Sequence, residues 1–366
     1  MLLKRPTISD VARRAGLSPA AVSRWLNGSM RLPEATGDRI RSAVEALGYR
    51  PHAQARRLSQ GRSDTIGIVL PDISNPFFAL IAGEAERVAT ASGLDLVIWS
   101  SRNLIARELA CFDRLASGFI DGLILITNHE DDGRLAAAIN QHQGRVVIVD
   151  EDVRGALAPR FFVENETGGY QATQHLIDRG HRHILHIGGP SGVMSAVERG
   201  KGWRRALAEA AIDPPASWHI CTEYELGPAI AAAAAIFRLS PRPSAVFAGS
   251  DAIALGVLTQ ARAQNVAVPA GMSLVGFDGM PINDLLGPPL TSIAQPIDEL
   301  GHLGAEQLVR MLGGAAEAAA PIWLPVALVE RGSVSVPFQN TGSARQAPTY
   351  RASRNGPAVD QPGRVT

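Results

Sequence analysis

The stretch that decides the amino-terminal fold is TISDVARRAGLSPAAVSRWLNG, residues 7–28. Thr7 can cap a helix over Ile8–Ala15, because a hydroxyl at this position accepts a hydrogen bond from an otherwise unpaired backbone N–H. The apolar members of that helix recur at a spacing that places them on one face. Gly16 then ends the pattern, as glycine commonly does after the last helical turn. These residues therefore predict a short amphipathic helix.

A second helix is predicted directly after the first. Ser18 can cap it, and Pro19 suits its first position because the missing N–H loses no hydrogen bond there. The helix runs to about Leu26, where Asn27 and a following glycine break it. A third helix is predicted to start at Thr36 and to complete a small core. Two helices joined by a turn of about three residues are typical of a helix-turn-helix.

Charge is distributed unevenly along the chain. Residues 1–62 hold 12 Lys and Arg against 4 Asp and Glu, a net charge of +8. The whole chain sums to zero, so the remainder carries −8. A basic module on an acidic body suggests a polyanionic partner for the module alone. The segment 51–62 has Leu58 as its only bulky apolar residue, which indicates a linker with latent helix propensity.

The second helix is the predicted reading helix of this module. Its outward residues would face the major groove of DNA; they are Pro19, Ala20, Ala21, Ser23 and Arg24. The Arg24 guanidinium can bind O6 and N7 of guanine together, which is the commonest specific base contact. Other polar residues are predicted to contact phosphates, which fix the register without reading sequence. These are Ser18, Ser23, Asn27, Arg31, Thr36 and Tyr49.

From residue 65 the pattern changes to apolar runs separated by helical stretches. The runs are Ile66–Leu70, Leu94–Trp99, Gly122–Ile126, Val146–Val149, Ile184–Ile187, Ala245–Ala248 and Ser273–Phe277. Alternation of strand and helix predicts a parallel sheet with helices on both faces. About ten such units fit two doubly wound lobes better than one. The predicted fold class is therefore an all-α headpiece plus a two-lobed α/β core.

Residues 7–62 resemble the headpiece of the lactose/galactose-repressor (LacI/GalR) family of bacterial regulators. The motifs that carry the resemblance are Thr7-Ile8-x-Asp10-Val11-Ala12-x-x-Ala15-Gly16-x-Ser18, Val22-Ser23-Arg24-x-Leu26-Asn27-Gly28, Leu47-Gly48-Tyr49-x-Pro51 and Ala55-Arg56-x-Leu58. The resemblance continues to about residue 335, through motifs such as Pro71-Asp72-Ile73-x-Asn75-Pro76-Phe77-Phe78, Arg199-x-x-Gly202-Trp203 and Val275-Gly276-Phe277-Asp278. It implies a core with the fold of periplasmic sugar-binding proteins.

The resemblance also implies a homodimer that represses transcription from a pseudo-palindromic operator. It implies a hinge helix over about His52–Gln60 that forms only on the operator, with His52 among the DNA-contacting residues and Leu58 wedged into the minor groove. Such an apolar wedge kinks the duplex and gains contact area in return. The alternative for Leu58 is packing against the partner's hinge. The operator sequence stays open, because Pro19, Ala20 and Gly37 vary within the family's pattern.

The effector site is expected between the lobes, at the carboxyl ends of strands. Asp72, Ser250 and Asp278 each follow a predicted strand. The resemblance implies Phe77 and Phe78 as apolar walls of this site. Its implied polar contacts are Ser195, Arg199, Tyr224, Ser250, Asp278 and Gln295. Such a set suits a sugar or a related metabolite, and Arg199 would suit a carboxylate or phosphate. The alternatives are an internal Arg199–Asp278 salt bridge and a purely structural role for the phenylalanines.

The predicted domains follow from these motifs. They are a helix-turn-helix domain over 1–50, a hinge over 51–63, a core over 64–336 and a disordered tail over 337–366. Within the core, one lobe takes about 64–163 plus 295–323, and the other takes about 164–292 plus 324–336. The tail is rich in Pro, Gly, Ser, Arg and Gln and lacks periodicity.

Two rival functions compete with that of a regulator. A sugar-binding receptor of a transport system would need a signal peptide and would leave residues 7–50 unexplained. An enzyme would need a convergent set of catalytic groups, and no catalytic motif stands out. His181, His183 and His186 lie at the start of an apparent strand, where alternation disfavours a shared metal, so no metal or cofactor is expected. A cytoplasmic location is the default, since Cys111 and Cys221 form no disulfide framework.

Overall fold

The computed structural model describes residues 6–26, 30–49, 62–315 and 320–337. The amino-terminal part contains three helices, which are α1 (Ile8–Ala15), α2 (Pro19–Leu26) and α3 (Glu34–Leu47). The predicted start of the third helix at Thr36 was two residues late. Pro33 precedes the helix in an extended conformation, and the acidic Glu34 suits the positive end of the helix dipole.

The headpiece core is small and made largely of alanine and β-branched residues. Val11 and Val22 are fully buried where α1 meets α2, and Ile40 closes the core from α3. Thr7 and Asp10 form a reciprocal capping box at the start of α1, which confirms the predicted cap. Gly16 ends α1 with φ of +67°, a left-handed conformation that glycine adopts without steric cost.

The core divides into two lobes, each built on one sheet. The strands of lobe 1 are β1 (Thr65–Leu70), β2 (Asp95–Ser100), β3 (Gly122–Leu125), β4 (Val146–Val149), β5 (Arg160–Val163) and β11 (Ile322–Leu324). Those of lobe 2 are β6 (Ile184–Gly188), β7 (His219–Cys221), β8 (Ala245–Ala248), β9 (Ser273–Asp278), β10 (Thr291–Ala294) and β12 (Ala327–Val329). Their orders are β11-β5-β4-β3-β1-β2 and β12-β10-β9-β8-β6-β7.

The helices flank these sheets. Lobe 1 holds α4 (Pro76–Ala91), α5 (Ile105–Ala116), α6 (Arg134–Gln141) and α11 (Ile297–Leu312). Lobe 2 holds α7 (Asn165–Asp178), α8 (Met194–Glu209), α9 (Leu226–Ala233) and α10 (Asp251–Ala263). Central strands such as β1 are buried at every residue because helices cover both faces. The doubly wound two-lobed architecture therefore confirms the predicted fold class.

Two features of the sheets differ from the predicted runs. The pair β10–β12 is antiparallel, whereas the other strand pairings in the described residues are parallel. Five strands, β5, β7, β10, β11 and β12, lie outside the seven predicted runs. They are only three or four residues long, and β5, β7 and β10 begin with polar residues, so none of the five strands offers more than three apolar residues in a row.

Candidate functional site

The outward face of α2 is the candidate DNA-reading surface. Pro19, Ala20 and Arg24 are exposed, whereas Ala21 and Ser23 are half-buried. Val22 faces the core and is fully buried, which fixes the rotation of α2 and directs Arg24 outward. The Ser18 hydroxyl accepts a hydrogen bond from the Ala21 N–H at 3.2 Å, so it caps α2 as the sequence indicates.

The predicted phosphate-contacting residues divide by exposure. Arg31 is exposed and Thr36 is half-buried. The Tyr49 side chain is only 6% exposed and packs in the headpiece core, and its phosphate contact stays a prediction. Burial also raises the pKa of the Tyr49 hydroxyl. Asn27, His52 and Leu58 lie outside the described residues.

A cavity of about 20 Å³ lies between the lobes, with room for about one water molecule. It is lined by Asn75, Phe77, Phe78, Asn128, Asp150, Ser195, Arg199, Tyr224, Ser250, Asp278 and Gln295. We refer to it as the inner cleft. Eight of the nine predicted effector-site residues line it, and the ninth is Asp72. The Asp72 carboxylate instead accepts hydrogen bonds from the Ser74 N–H at 2.9 Å and the Ser74 hydroxyl at 2.6 Å.

Three lining residues were missed by the sequence reasoning. Asp150 directly follows the apolar run of β4, as Asp72 follows β1, so the same rule could have found it. Asn128 comes shortly after β3, and Asn75 lies between Pro71 and Phe78, at the start of α4. The Asn75 side chain caps α4 by accepting from the Phe77 N–H at 3.1 Å. Polar residues shortly after a central strand are the shared signal.

Arg199 lies at the centre of the inner cleft and is 3% exposed. Its Nε donates to the Asn165 side-chain oxygen at 2.8 Å, and its Nη1 donates to the Gly249 carbonyl at 2.6 Å. The guanidinium lies 3.7 Å from the centroid of the Phe277 ring, a cation–π contact. Its Nη1 is 3.8 Å from Asp278 Oδ1, so the two form a loose buried ion pair.

Asp278 and Asp150 are the carboxylates that face this arginine. Both have positive φ, +115° and +74°, a conformation that is strained for a residue with a side chain. The Gln295 amide donates to Asp278 Oδ1 at 2.8 Å. Burial raises the pKa of both carboxyls, and Arg199 opposes that rise. Strained acids held beside one arginine at the ends of β4 and β9 are typical of a polar ligand site.

A chain of hydrogen bonds links the two lobes beside Arg199. Glu151 follows β4 in lobe 1, and its Oε2 accepts from the Ser195 N–H at 3.0 Å. Ser195 lies in the first turn of α8 in lobe 2, where backbone N–H groups attract a carboxylate. The Ser195 hydroxyl is 2.9 Å from the Tyr224 hydroxyl. Burial raises the pKa of Tyr224, so its hydroxyl stays protonated and can donate.

The remaining wall residues complete the inner cleft. Phe77 and Phe78 are buried at the start of α4 and contact each other edge to face at 5.2 Å between centroids. Ser250 caps α10 by accepting from the Ile253 N–H at 3.1 Å. Its hydroxyl proton is still available to a ligand, since capping uses only an oxygen lone pair.

The three histidines do not converge on one point. His181 lies among serines, 2.9 Å from both Ser244 Oγ and Ser273 Oγ. His186 is fully buried and stacks on Phe247 at 4.6 Å. Among the described residues, no group of three or more metal-ligating side chains is placed to hold a metal ion. In the same part of the chain, no helix has the length and apolarity needed to cross a membrane.

Comparison with known proteins decides the family. Residues 7–52 match the model of the bacterial regulatory proteins, lacI family, and residues 173–334 match a periplasmic binding protein-like domain. The HTH-type transcriptional repressor PurR of Photobacterium profundum is 32% identical over 303 residues, which is 83% of this chain and 91% of that protein. The chain belongs to the LacI family. This confirms the resemblance and the function that it implies, DNA-binding regulation of transcription.

Two further relatives resemble most of the chain. The ribose operon repressor of Halalkalibacterium halodurans is 31% identical over 306 residues, which is 84% of this chain and 90% of that protein. The solved complex of the transcriptional regulator CelR with cellobiose is 30% identical, with a TM-score of 0.68. The structural match spans 90% of this chain and 100% of the solved chain.

Proposed function

We propose that this LacI-family chain is a repressor whose operator binding is controlled by a small molecule in the inner cleft. The observation that carries the proposal is that one chain holds both a candidate DNA-binding surface and a candidate ligand site. An exposed arginine lies on the second helix of a helix-turn-helix, and eleven residues from two lobes converge on one buried polar cavity.

The DNA-binding half of the proposal assigns Arg24 to a base and the nearby polar groups to phosphates. The net charge of +8 over residues 1–62 supplies the attraction to the DNA backbone. In this proposal Leu58 lies in the minor groove and His52 contacts the DNA beside it; both are outside the described residues. Binding to the operator should weaken as salt rises, because each phosphate contact releases counterions.

The effector half of the proposal assigns the inner cleft to a sugar or a related metabolite. Two relatives named for sugars, the ribose operon repressor and the CelR–cellobiose complex, support this class. The cavity of about 20 Å³ is smaller than a sugar ring, so the lobes or Arg199 must move to admit one. A ligand that binds the open and closed arrangements unequally shifts the balance between them, and the hinges report that shift to DNA.

We propose that the working unit is a homodimer in the cytoplasm with no catalytic activity. Lobe 1 exposes several apolar side chains around the edge strand β2, which a second copy would cover. They are Ile73, Leu80, Ile98 and Leu104, with exposed fractions of 37% to 53%. The hydrogen bond from the Ile73 N–H to Ser100 Oγ, at 3.4 Å, holds the first of them at the end of β2.

The test is a mobility-shift titration of the full chain on operator DNA, at fixed salt, with and without candidate sugars. We expect specific binding that at least one sugar changes by tenfold or more. If the chain binds operator and no metabolite changes that binding, the proposed control by a small molecule fails and the proposed DNA-binding function stands. Leu58→Ala should weaken specific binding far more than nonspecific binding, and an equal loss on both would refute the minor-groove assignment.

A further inference from the structure

A second, larger cavity lies between the lobes next to the inner cleft, with a volume of about 260 Å³. We refer to it as the outer cavity. Lobe 1 contributes His129, Glu130 and Glu151 to its walls, and lobe 2 contributes Met194 and Lys201. Glu151 joins the two cavities, because it lines the outer one and accepts a hydrogen bond from Ser195, which lines the inner one.

The outer cavity carries an excess of negative charge. Its walls include five acidic side chains against two permanent cations, and the other four acids still outnumber the cations when Glu151 is protonated; the acids are Glu130, Asp131, Glu151, Asp152 and Glu198, and the cations are Arg154 and Lys201. One cation, Lys201, is engaged by Glu198 at 2.6 Å. His129 is engaged by Glu108 at 2.8 Å from behind the cavity. A cleft lined mainly by one sign of charge attracts ligands of the opposite sign.

Buried polar atoms without partners point to the same class of ligand. Glu151 is only 2% exposed, and among the described residues its Oε1 has no hydrogen-bond partner. The same holds for Asp150 Oδ1 and Gln295 Oε1 in the inner cleft. All three atoms are acceptors, so they require a ligand rich in donors. Burial raises the pKa of Glu151, so the empty site favours the protonated acid; an ammonium group, with three N–H donors and a positive charge, stabilises the carboxylate and displaces that proton.

We propose that Glu151 binds a positively charged amino group of the effector, and that the effector is a polyhydroxylated amine such as an amino sugar. The hydroxyls occupy the inner cleft between Phe77, Arg199 and Asp278. The amino group enters the outer cavity against Glu151. This inference rests on the proposed effector function of the cleft, and it disfavours the acidic ligands that Arg199 alone would suit.

The test is calorimetric titration of the full chain with matched ligands at about pH 6.5, where an amine of ordinary basicity is protonated. The probes are glucosamine, galactosamine and mannosamine, each beside its parent hexose and its N-acetyl derivative, together with glucuronate and galacturonate. N-acetylation keeps the ring and removes the charge. We expect at least one amino sugar to bind tenfold or more tightly than its parent, and the uronates to bind more weakly than the parents.

The variant Glu151→Gln keeps the shape of the side chain and cannot ionise when the amine binds, so it should reduce the preference for the amine to about threefold or less. Glu306→Gln is the matched control, because Glu306 is exposed on α11 and lines neither cavity. It should leave the preference unchanged. If Glu151→Gln does not fold, the comparison of ligands on the natural chain still tests the inference.

Either of two results would overturn the inference: no amino sugar binds, or a neutral or acidic sugar binds as tightly as its amine. If such a neutral or acidic sugar also alters operator binding, the proposed function stands and only the amine assignment fails. If the chain binds no operator DNA, with or without any of these sugars, the proposed function itself fails.

Discussion

The headpiece and the inner cleft place their functional side chains in opposite environments. Arg24 lies exposed on α2, and the fold around it depends on other residues such as Val22. Arg199 is buried, and its hydrogen bonds join α8 to Asn165 and to the end of β8. Function and stability can therefore be separated by mutation in the headpiece, whereas in the cleft the same residues carry both.

The largest effect is expected for Arg199→Ala. The change leaves Asp150 and Asp278 buried without a counter-charge, and breaking a buried ion pair in this way costs about 3–5 kcal/mol. Urea denaturation of the full chain, followed through the core transition, measures it. Arg205→Ala is the control, because its ion pair with Glu166 is exposed and should contribute less than about 1 kcal/mol. A loss no larger than the control's would refute the central role of Arg199.

The next effect is expected for Arg24→Ala, and it should appear only in DNA binding. Loss of the paired contacts to guanine should cost about 1–3 kcal/mol of discrimination between operator and altered sites. The thermal midpoint of the headpiece should hardly move, since an exposed substitution changes stability by about 0.5 kcal/mol or less. Fluorescence anisotropy on operator and scrambled duplexes measures the discrimination.

Arg39→Ala is the matched control for Arg24→Ala, because it also removes one positive charge from the headpiece. Arg39 is exposed on α3, so its removal should weaken binding to all duplexes alike. If the two variants discriminate equally between operator and altered sites, Arg24 contacts only phosphate.

The two regions also differed in how far sequence could predict them. The headpiece helices follow from local signals, namely the Thr7 cap, Gly16 and the apolar spacing, because each depends on near neighbours in the chain. For the cleft, the rule that ligands lie beyond strand ends found Asp278 but could not separate Asp72 from Asp150. Asp72 turns back to Ser74, whereas Asp150 adopts positive φ and faces Arg199. Loop conformation decides that choice, and no periodicity encodes it.

Tyr49 shows the same limit in the headpiece. Its hydroxyl is predicted to contact a phosphate, and the packing of its ring in the headpiece core did not follow from the residues around it. An amphipathic side chain can serve both roles, because it has an apolar body and a polar tip. Glu151 was not predicted for a related reason, since its importance depends on the approach of lobe 2 and not on its own neighbours.

A smaller effect is expected for Glu151→Gln in the absence of ligand, and it should depend on pH. Burial, with repulsion from Asp150, raises the pKa of Glu151 from its ordinary 4.5 to about 8. Ionisation of such an acid destabilises the folded state, so stability is lost as pH rises through that range. Glutamine resembles the protonated acid, so the variant should be more stable by roughly 1–2 kcal/mol at alkaline pH and nearly unchanged at acidic pH. Scanning fluorimetry across that range measures the difference, and an equal shift at both ends would contradict it.

The smallest effect tests the headpiece by a capping residue that lies outside its apolar core. Thr7→Ala removes the side chain that accepts from the Asp10 N–H and pairs with the Asp10 carboxylate. Loss of such a cap costs about 1 kcal/mol, which should raise hydrogen exchange at the α1 amides about fivefold in the full chain. Ser9→Ala, exposed within α1, should leave exchange unchanged or slow it, because alanine favours helix. Exchange in lobe 2 should not respond to either change. If it did, the headpiece and the core would share one unfolding unit, and the separation of function from stability drawn between Arg24 and Arg199 would no longer hold.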